Sequence, residues 1–171
     1  MIETEETENT EKNGNNKRTT RILKVFNSAI GNGLPKVHKI PMFTQKFNGK
    51  MISAKRGEVV VEFKVTPDMT NPVGFLHGGM QCTLMDDIIG LAAATLGYEG
   101  FTISLNLQVN YLGKAKVDDI IKVKAEIVRE GRNIIHASSK ISNADNKLIA
   151  VGQSDLLKTQ INRDYVKDLK H

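Results

Sequence analysis

The sequence holds one cysteine, Cys82. That scarcity excludes an internal disulfide and any zinc site built on several cysteines. A reducing compartment is the natural setting, and the cytoplasm is the expected one. Long apolar runs are missing too. The longest weakly polar stretch, Ile88 to Leu96, falls far short of the ~20 residues a bilayer span needs. No secretory signal is visible: the first residues, MIETEETENTEKNGNN, are polar and acid-rich, which also argues against a mitochondrial presequence. The segment Lys17 to Lys24, KRTTRILK, is basic enough to leave mitochondrial association open. Zinc-finger spacing, an aromatic RNA-binding signature and long basic blocks are all absent, which makes nucleic acid a poor partner. There is no internal repeat.

What is present fits one domain. The 171 residues are 40% apolar, enough for a real core, and 25% charged, as in soluble globular proteins. Lys and Arg number 24 against 19 acids, a net +5, and the acidic amino terminus makes the remaining body more basic still. Such a body attracts phosphorylated small molecules, although most of its lysines read as ordinary solvated surface. Residues 1–17 are too polar to offset their ordering entropy and are expected to form a disordered tail. Residues 18–160 make the domain, and 161–171 an extension.

From Thr19, ILKVFNSAIGNG spaces Ile22, Leu23, Val25, Phe26 and Ile30 as in a short amphipathic helix ended by Gly31 or Gly33. Pro35 and Pro41 mark an irregular connector. In EVVVEFKV, Val59, Val61, Phe63 and Val65 share one face of a strand. DIIKVKAEIVRE, NIIHASSKIS and NKLIAVGQSDLL alternate in the same way. The turn signals between them are NADN and a glycine, Gly131, placed where a hairpin calls for positive φ. GMQCTLMDDIIGLAAATLG is apolar almost all round and reads as one buried helix from about Gly79 to Leu96. The expected order is helix, two strands, central helix, four strands. That is an α+β plan, with a curved antiparallel sheet wrapped around one helix.

The central helix carries an anomaly, the adjacent acids Asp86 and Asp87. An unpaired carboxylate inside an apolar helix costs several kcal/mol unless it is solvated or hydrogen-bonded. Two in succession point ~100° apart, so one can face solvent and the other a polar cleft. Just upstream, His77-Gly78-Gly79 opens the helix, whose first amides lack internal partners and can donate to a developing oxyanion. A donor at the helix start and a carboxylate two turns along form a plausible hydrolytic pair.

With these residues in view, NPVGFLHGG followed by LMDD resembles the hotdog-fold acyl-CoA thioesterases of the PaaI type. The likeness continues through TISLNLQVNYLGKAK, VREGRNIIHASSKIS and KLIAVGQSDLL, over roughly residues 40–158. The resemblance implies that Asp86 is the catalytic carboxylate, as general base, water-orienting group or direct nucleophile. It implies that Gly78 is the backbone donor to the thioester carbonyl and that Asn71 assists it. His77 then helps hold the pocket, and Ser104 positions water beside the acid. Such sites form between two subunits, one supplying Asn71, His77 and Gly78, the other Asp86 and Ser104. Asp87 falls at a variable position.

Coenzyme A is part of the substrate in that reading, and no prosthetic group or metal is implied. The cations near its phosphates would be Lys114, Lys116, Arg129 and Arg132. Phe75, Leu76 and Met80 suit an apolar acyl pocket for fatty or aryl groups. Read from the residues alone, Asn71 is a turn residue, Cys82 a small buried thiol, and His136 structural. Two other functions fit the same stretch: a hotdog dehydratase acting on a hydroxyacyl thioester, and an acyl-CoA-binding protein without turnover. Finally, in FTISLNLQVNYL the odd positions Phe101 to Tyr111 form one apolar row. If Ser104 faces the helix, that row faces away from it, and two dimers are expected to pack sheet against sheet as a tetramer.

Overall fold

Alternating apolar and charged residues lay down a curled sheet. In the computed structural model we describe residues 2–34 and 46–161, with the side chains of the first helix from residue 14 onward. The expected Pro35–Pro41 connector and nearly all of the 161–171 extension lie outside the described residues. Helix α1 spans Ile2–Ser28. Strands β1 (Lys50–Lys55) and β2 (Glu58–Lys64) form a hairpin, and helix α2 (Gly78–Ala94) follows. Then come β3 (Thr102–Ser104), β4 (Gln108–Tyr111), β5 (Ile120–Glu130), β6 (Ile134–Asn143) and β7 (Leu148–Lys158). The sheet order is β1-β2-β5-β6-β7-β3, with β4 also on β7, and every pairing is antiparallel.

The sheet curls as a half-barrel around α2. Val59, Val61 and Phe63 of β2, Ile121 and Val123 of β5, and Ile135 and Ile141 of β6 are buried on its inner face. They pack with Leu84, Met85, Ile88, Ile89 and Ala92 of α2 in one core. Fully burying one such side chain stabilises the fold by ~1.5–3 kcal/mol, and cutting Ile88 back to alanine would cost ~2–5 kcal/mol. Thr95 ends α2: its hydroxyl donates to Ala92 O (2.6 Å) and accepts from Gly57 N (2.7 Å), tying the helix end to the β1–β2 turn. Gly97 follows at φ +75°, where a Cβ would lie 2.2 Å from Asn15 O of α1.

Three points bear on the expectations from sequence. First, the bounds of α1 take in residues 2–17, the polar stretch expected as a tail. Extending a helix costs far less than nucleating one, and the turns holding the buried Ile22 and Phe26 supply the nucleus. Second, Gly131 is not at positive φ. It is needed for a close approach instead, since a Cβ there would lie 2.6 Å from Ile134 O. The left-handed residue among these turns is Asn146, at φ 61° in the β6–β7 turn.

Third, FTISLNLQVNYL is not one strand. Ser104 pairs with Leu156 but Gln108 with Gln153, so three residues on one side oppose two on the other. The extra residue shifts the register by one and reverses the face of everything after it. Asn106 holds the shift: its Oδ1 accepts from Asp155 N (3.2 Å), its Nδ2 donates to Asp155 Oδ2 (2.9 Å), and its carbonyl accepts from Ser154 Oγ (2.6 Å). The apolar row is therefore divided. Phe101, Ile103 and Leu105 stay exposed, whereas Leu107 and Val109 turn inward onto the core.

Candidate active site

Two clusters of polar groups meet α2, one at its start and one at its middle. At the start, Asn71 organises the preceding loop. Its Oδ1 accepts from Val73 N (3.1 Å) and Phe75 N (3.0 Å), which commits the oxygen to the turn. The loop is held against 115–116 by Leu76 N donating to Ala115 O (2.9 Å) and by a bridge between Phe75 and Lys116. Gln81, buried in α2, donates Nε2 to Leu76 O (3.1 Å) and ties loop to helix. His77 is the N-cap, and its Nδ1 accepts from Gly79 N (2.9 Å). An Nδ1 that accepts carries no proton, so a neutral ring carries its hydrogen on Nε2. The Gly78 amide is left as a donor of this turn, as is that of Met80, with no acceptor among the described residues. Helix-start geometry orients it toward incoming negative charge.

At the middle of α2, half-buried Asp86 accepts a hydrogen bond from Ser104 Oγ on β3, 2.7 Å from its Oδ1. Asp86 and Ser104 are 18 residues apart, and the curl of the sheet brings them together. The second carboxylate oxygen, Oδ2, has no partner among the described residues. Asp87 lies one helix step away and makes contacts of its own.

The structure thus joins Asp86 to Ser104, and places Asn71, His77 and Gly78 along the one loop that enters α2, but it does not join the two groups. Gly78 and Asp86 are eight residues apart on one straight helix, roughly 12 Å at ~1.5 Å per residue. A base and an oxyanion donor acting on one carbonyl must both lie within ~3 Å of the reacting atoms. The intrachain pair read from the two-turn spacing therefore cannot act alone.

The four candidate phosphate cations also fall into two pairs. Lys114 sits with its Nζ 4.8 Å from the Phe75 ring centroid, and Lys116 donates its backbone N–H to Asp119 Oδ2 (2.8 Å). Arg129 lies opposite His136 near the far end of β5, and Arg132 in the turn beyond it. Along β5, the nine residue steps from Ile120 to Arg129 span on the order of 30 Å. Of the acyl-pocket candidates, Leu76 is buried, while Phe75 and Met80 are partly open. A groove of about 330 Å³ does exist, but it lies on the outer face of the sheet among Lys124, Glu126, Lys140 and Gln153.

Sequence reasoning missed Gln81 and Tyr111. Gln81 was visible as a lone amide in an apolar helix. Tyr111 was hidden by the register shift; its hydroxyl lies 3.3 Å from Gly78 O and 3.2 Å from Cys82 Sγ. Among the described residues no group of three or more His, Cys, Asp or Glu side chains could hold a metal ion, and no helix is long and apolar enough to cross a membrane.

Residues 73–150 match the family model described as the thioesterase superfamily. Human acyl-coenzyme A thioesterase 13 is 33% identical over 104 residues, covering 60% of this chain and 74% of the relative. A hypothetical thioesterase protein from Streptococcus pneumoniae, solved with coenzyme A, superposes with a TM-score of 0.63 at 29% identity, covering 68% of this chain and 92% of that one. The PaaI protein of E. coli shares the fold, with a TM-score of 0.71 at 16% identity over 85% of this chain and 98% of its own. With its curled sheet around one helix and a matched stretch that runs from just before α2 into β7, the chain belongs to the thioesterase superfamily and has the hotdog fold.

Proposed function

We propose that the protein is an acyl-CoA thioesterase whose site is completed by a second copy of the chain. The observation that carries this is the Asp86–Ser104 bond. Ser104 engages Oδ1 and leaves Oδ2 to take a proton from water. The water oxygen attacks the thioester carbonyl carbon, and the resulting oxyanion is held by the Gly78 amide of the other subunit. When the tetrahedral intermediate collapses, the C–S bond breaks. The thiolate of coenzyme A takes the proton back from Asp86, leaving the free acid. Asn71 and His77 support this amide through the loop and the cap, and Asn71 keeps its Nδ2 for the carbonyl. No cofactor enters the sequence of steps.

A second copy is supported by the sheet itself. β3 and β4 both pair with β7 at the end of the sheet, so among the described residues their outer backbone groups form an edge beside Ser104 that no other strand covers. Pairing through that edge would bring two α2 helices and the two half-sites together. It would also bring the Lys114–Lys116 pair of one subunit toward the Arg129–Arg132 pair of the other, a setting for the phosphates of coenzyme A. Two dimers then form a tetramer through the outer face, where Ile103 pairs with Leu157 and Leu157 with Ile134 as an apolar patch. The thiol of Cys82 suits a reducing compartment, and the cytoplasm is favoured over a mitochondrial role because Ile22 and Phe26 commit the basic helix to the core.

The test is a panel of saturated, enoyl and aryl acyl-CoAs followed by thiol release. Release from saturated esters is expected, since a dehydratase would leave them intact. Calorimetric binding without release would instead make the protein a non-catalytic acyl-CoA binder.

A further inference from the structure

Tyr111 stands where nothing in the hydrolytic scheme requires it. It ends β4 on the inner face, opposite Ala150, with half of its surface open. Its ring covers Gly78 closely: a Cβ added there would lie 3.1 Å from the phenol oxygen and 3.2 Å from Cζ. A side chain at residue 78 would have to displace the Tyr111 ring by a few tenths of an ångström. The hydroxyl has one proton and two neighbours. Gly78 O can only accept, so it takes that proton, and Cys82 Sγ–H must donate to the phenol oxygen in turn. The result is a chain from thiol to phenol to peptide carbonyl, in which each bond strengthens the next.

The Gly78–Gly79 peptide is thereby held at both edges. Tyr111 takes its carbonyl and His77 Nδ1 takes its N–H. Rotation of that plane would swing the adjoining Gly78 amide, and two glycines in succession otherwise resist rotation poorly. We propose that Tyr111 is a positioning residue for thioester hydrolysis, clamping the Gly78–Gly79 peptide so that the Gly78 amide stays aimed at the carbonyl oxygen. This rests on the thioesterase reading of the site.

The experiment compares the full chain with Tyr111→Phe, which keeps the ring and removes the hydroxyl. In steady-state hydrolysis of one acyl-CoA, kcat should fall about tenfold, the scale of one hydrogen bond, with KM within about a factor of two. The melting midpoint should not move. An unchanged kcat in an active background overturns this proposal alone. Absence of thiol release from the unsubstituted chain overturns the thioesterase reading and takes this proposal with it. The packing is read separately by melting. Gly78→Ala should destabilise the unsubstituted chain and do so much less in a Tyr111→Ala background; equal losses in both would overturn the clamp.

Discussion

Ser104 donates to Asp86 across 2.7 Å, joining an edge strand to the middle of the buried helix. The bond fixes one carboxylate oxygen and so defines the one that faces water. Asp86→Asn keeps the size of the side chain and removes the base. Turnover is expected to fall ~10²–10⁴-fold, the scale of general-base removal, with the protein still folded by thermal melting. Ser104→Ala should cost less, about tenfold, because it loosens the base without removing it. A Ser104→Ala variant as inactive as Asp86→Asn would contradict these roles.

Asp87 is the internal control. It has the same chemistry one residue on, turned ~100° away by the helix step. Asp87→Asn should leave thiol release within about twofold of the unsubstituted chain. If it abolishes release while Asp86→Asn does not, the acid has been assigned to the wrong residue.

A site divided between two chains predicts complementation. Asp86→Asn and His77→Ala chains should each be nearly inactive as homo-oligomers. Unfolded together and refolded as an equal mixture, they should regain roughly a quarter of full activity, since half the dimers are mixed and each holds one intact site. No recovery, with mixed dimers demonstrated by mass, would place both half-sites in one chain. A monomer by light scattering that still hydrolyses would do the same, whereas a stable dimer would remove only the tetramer.

The Asn106–Asp155 contact has a pH signature. The Asp155 carboxyl is held below its ordinary value, first by the Asn106 amide and next by the His136 ring. A depressed carboxylate contributes stability that is present above its unfolded pKa of ~3.9 and lost as pH falls through the lower native value. Asn106→Ala should raise the Asp155 pKa in an NMR titration and flatten the acid limb of the melting curve. It should also slow hydrolysis, because the register shift it releases is what turns Tyr111 toward Gly78. An unshifted Asp155 would show that the amide does not hold the carboxylate.

Much of this protein is written locally. Period-two alternation in EVVVEFKV and DIIKVKAEIVRE, and an apolar run between glycines, are short-range signals that specify strands, a buried helix and the face each buries. The HGG stretch and the Asp pair pointed to candidate site residues for the same reason: helix geometry alone places free amides at the start and a carboxylate two turns on. What the sequence could not decide was anything set by pairing between distant strands. Ser104 and Tyr111 have opposite parity in FTISLNLQVNYL, so alternation alone sends them to opposite faces. Both reach α2 because one extra residue, held by hydrogen bonds between Asn106 and Asp155 across the sheet, reverses the face between them. That contact spans 49 residues, and no local pattern encodes it. The same holds for the distance from Gly78 to Asp86: spacing placed them near one face, and only the rigid rise of a straight helix set them too far apart to act on one carbonyl within a single chain.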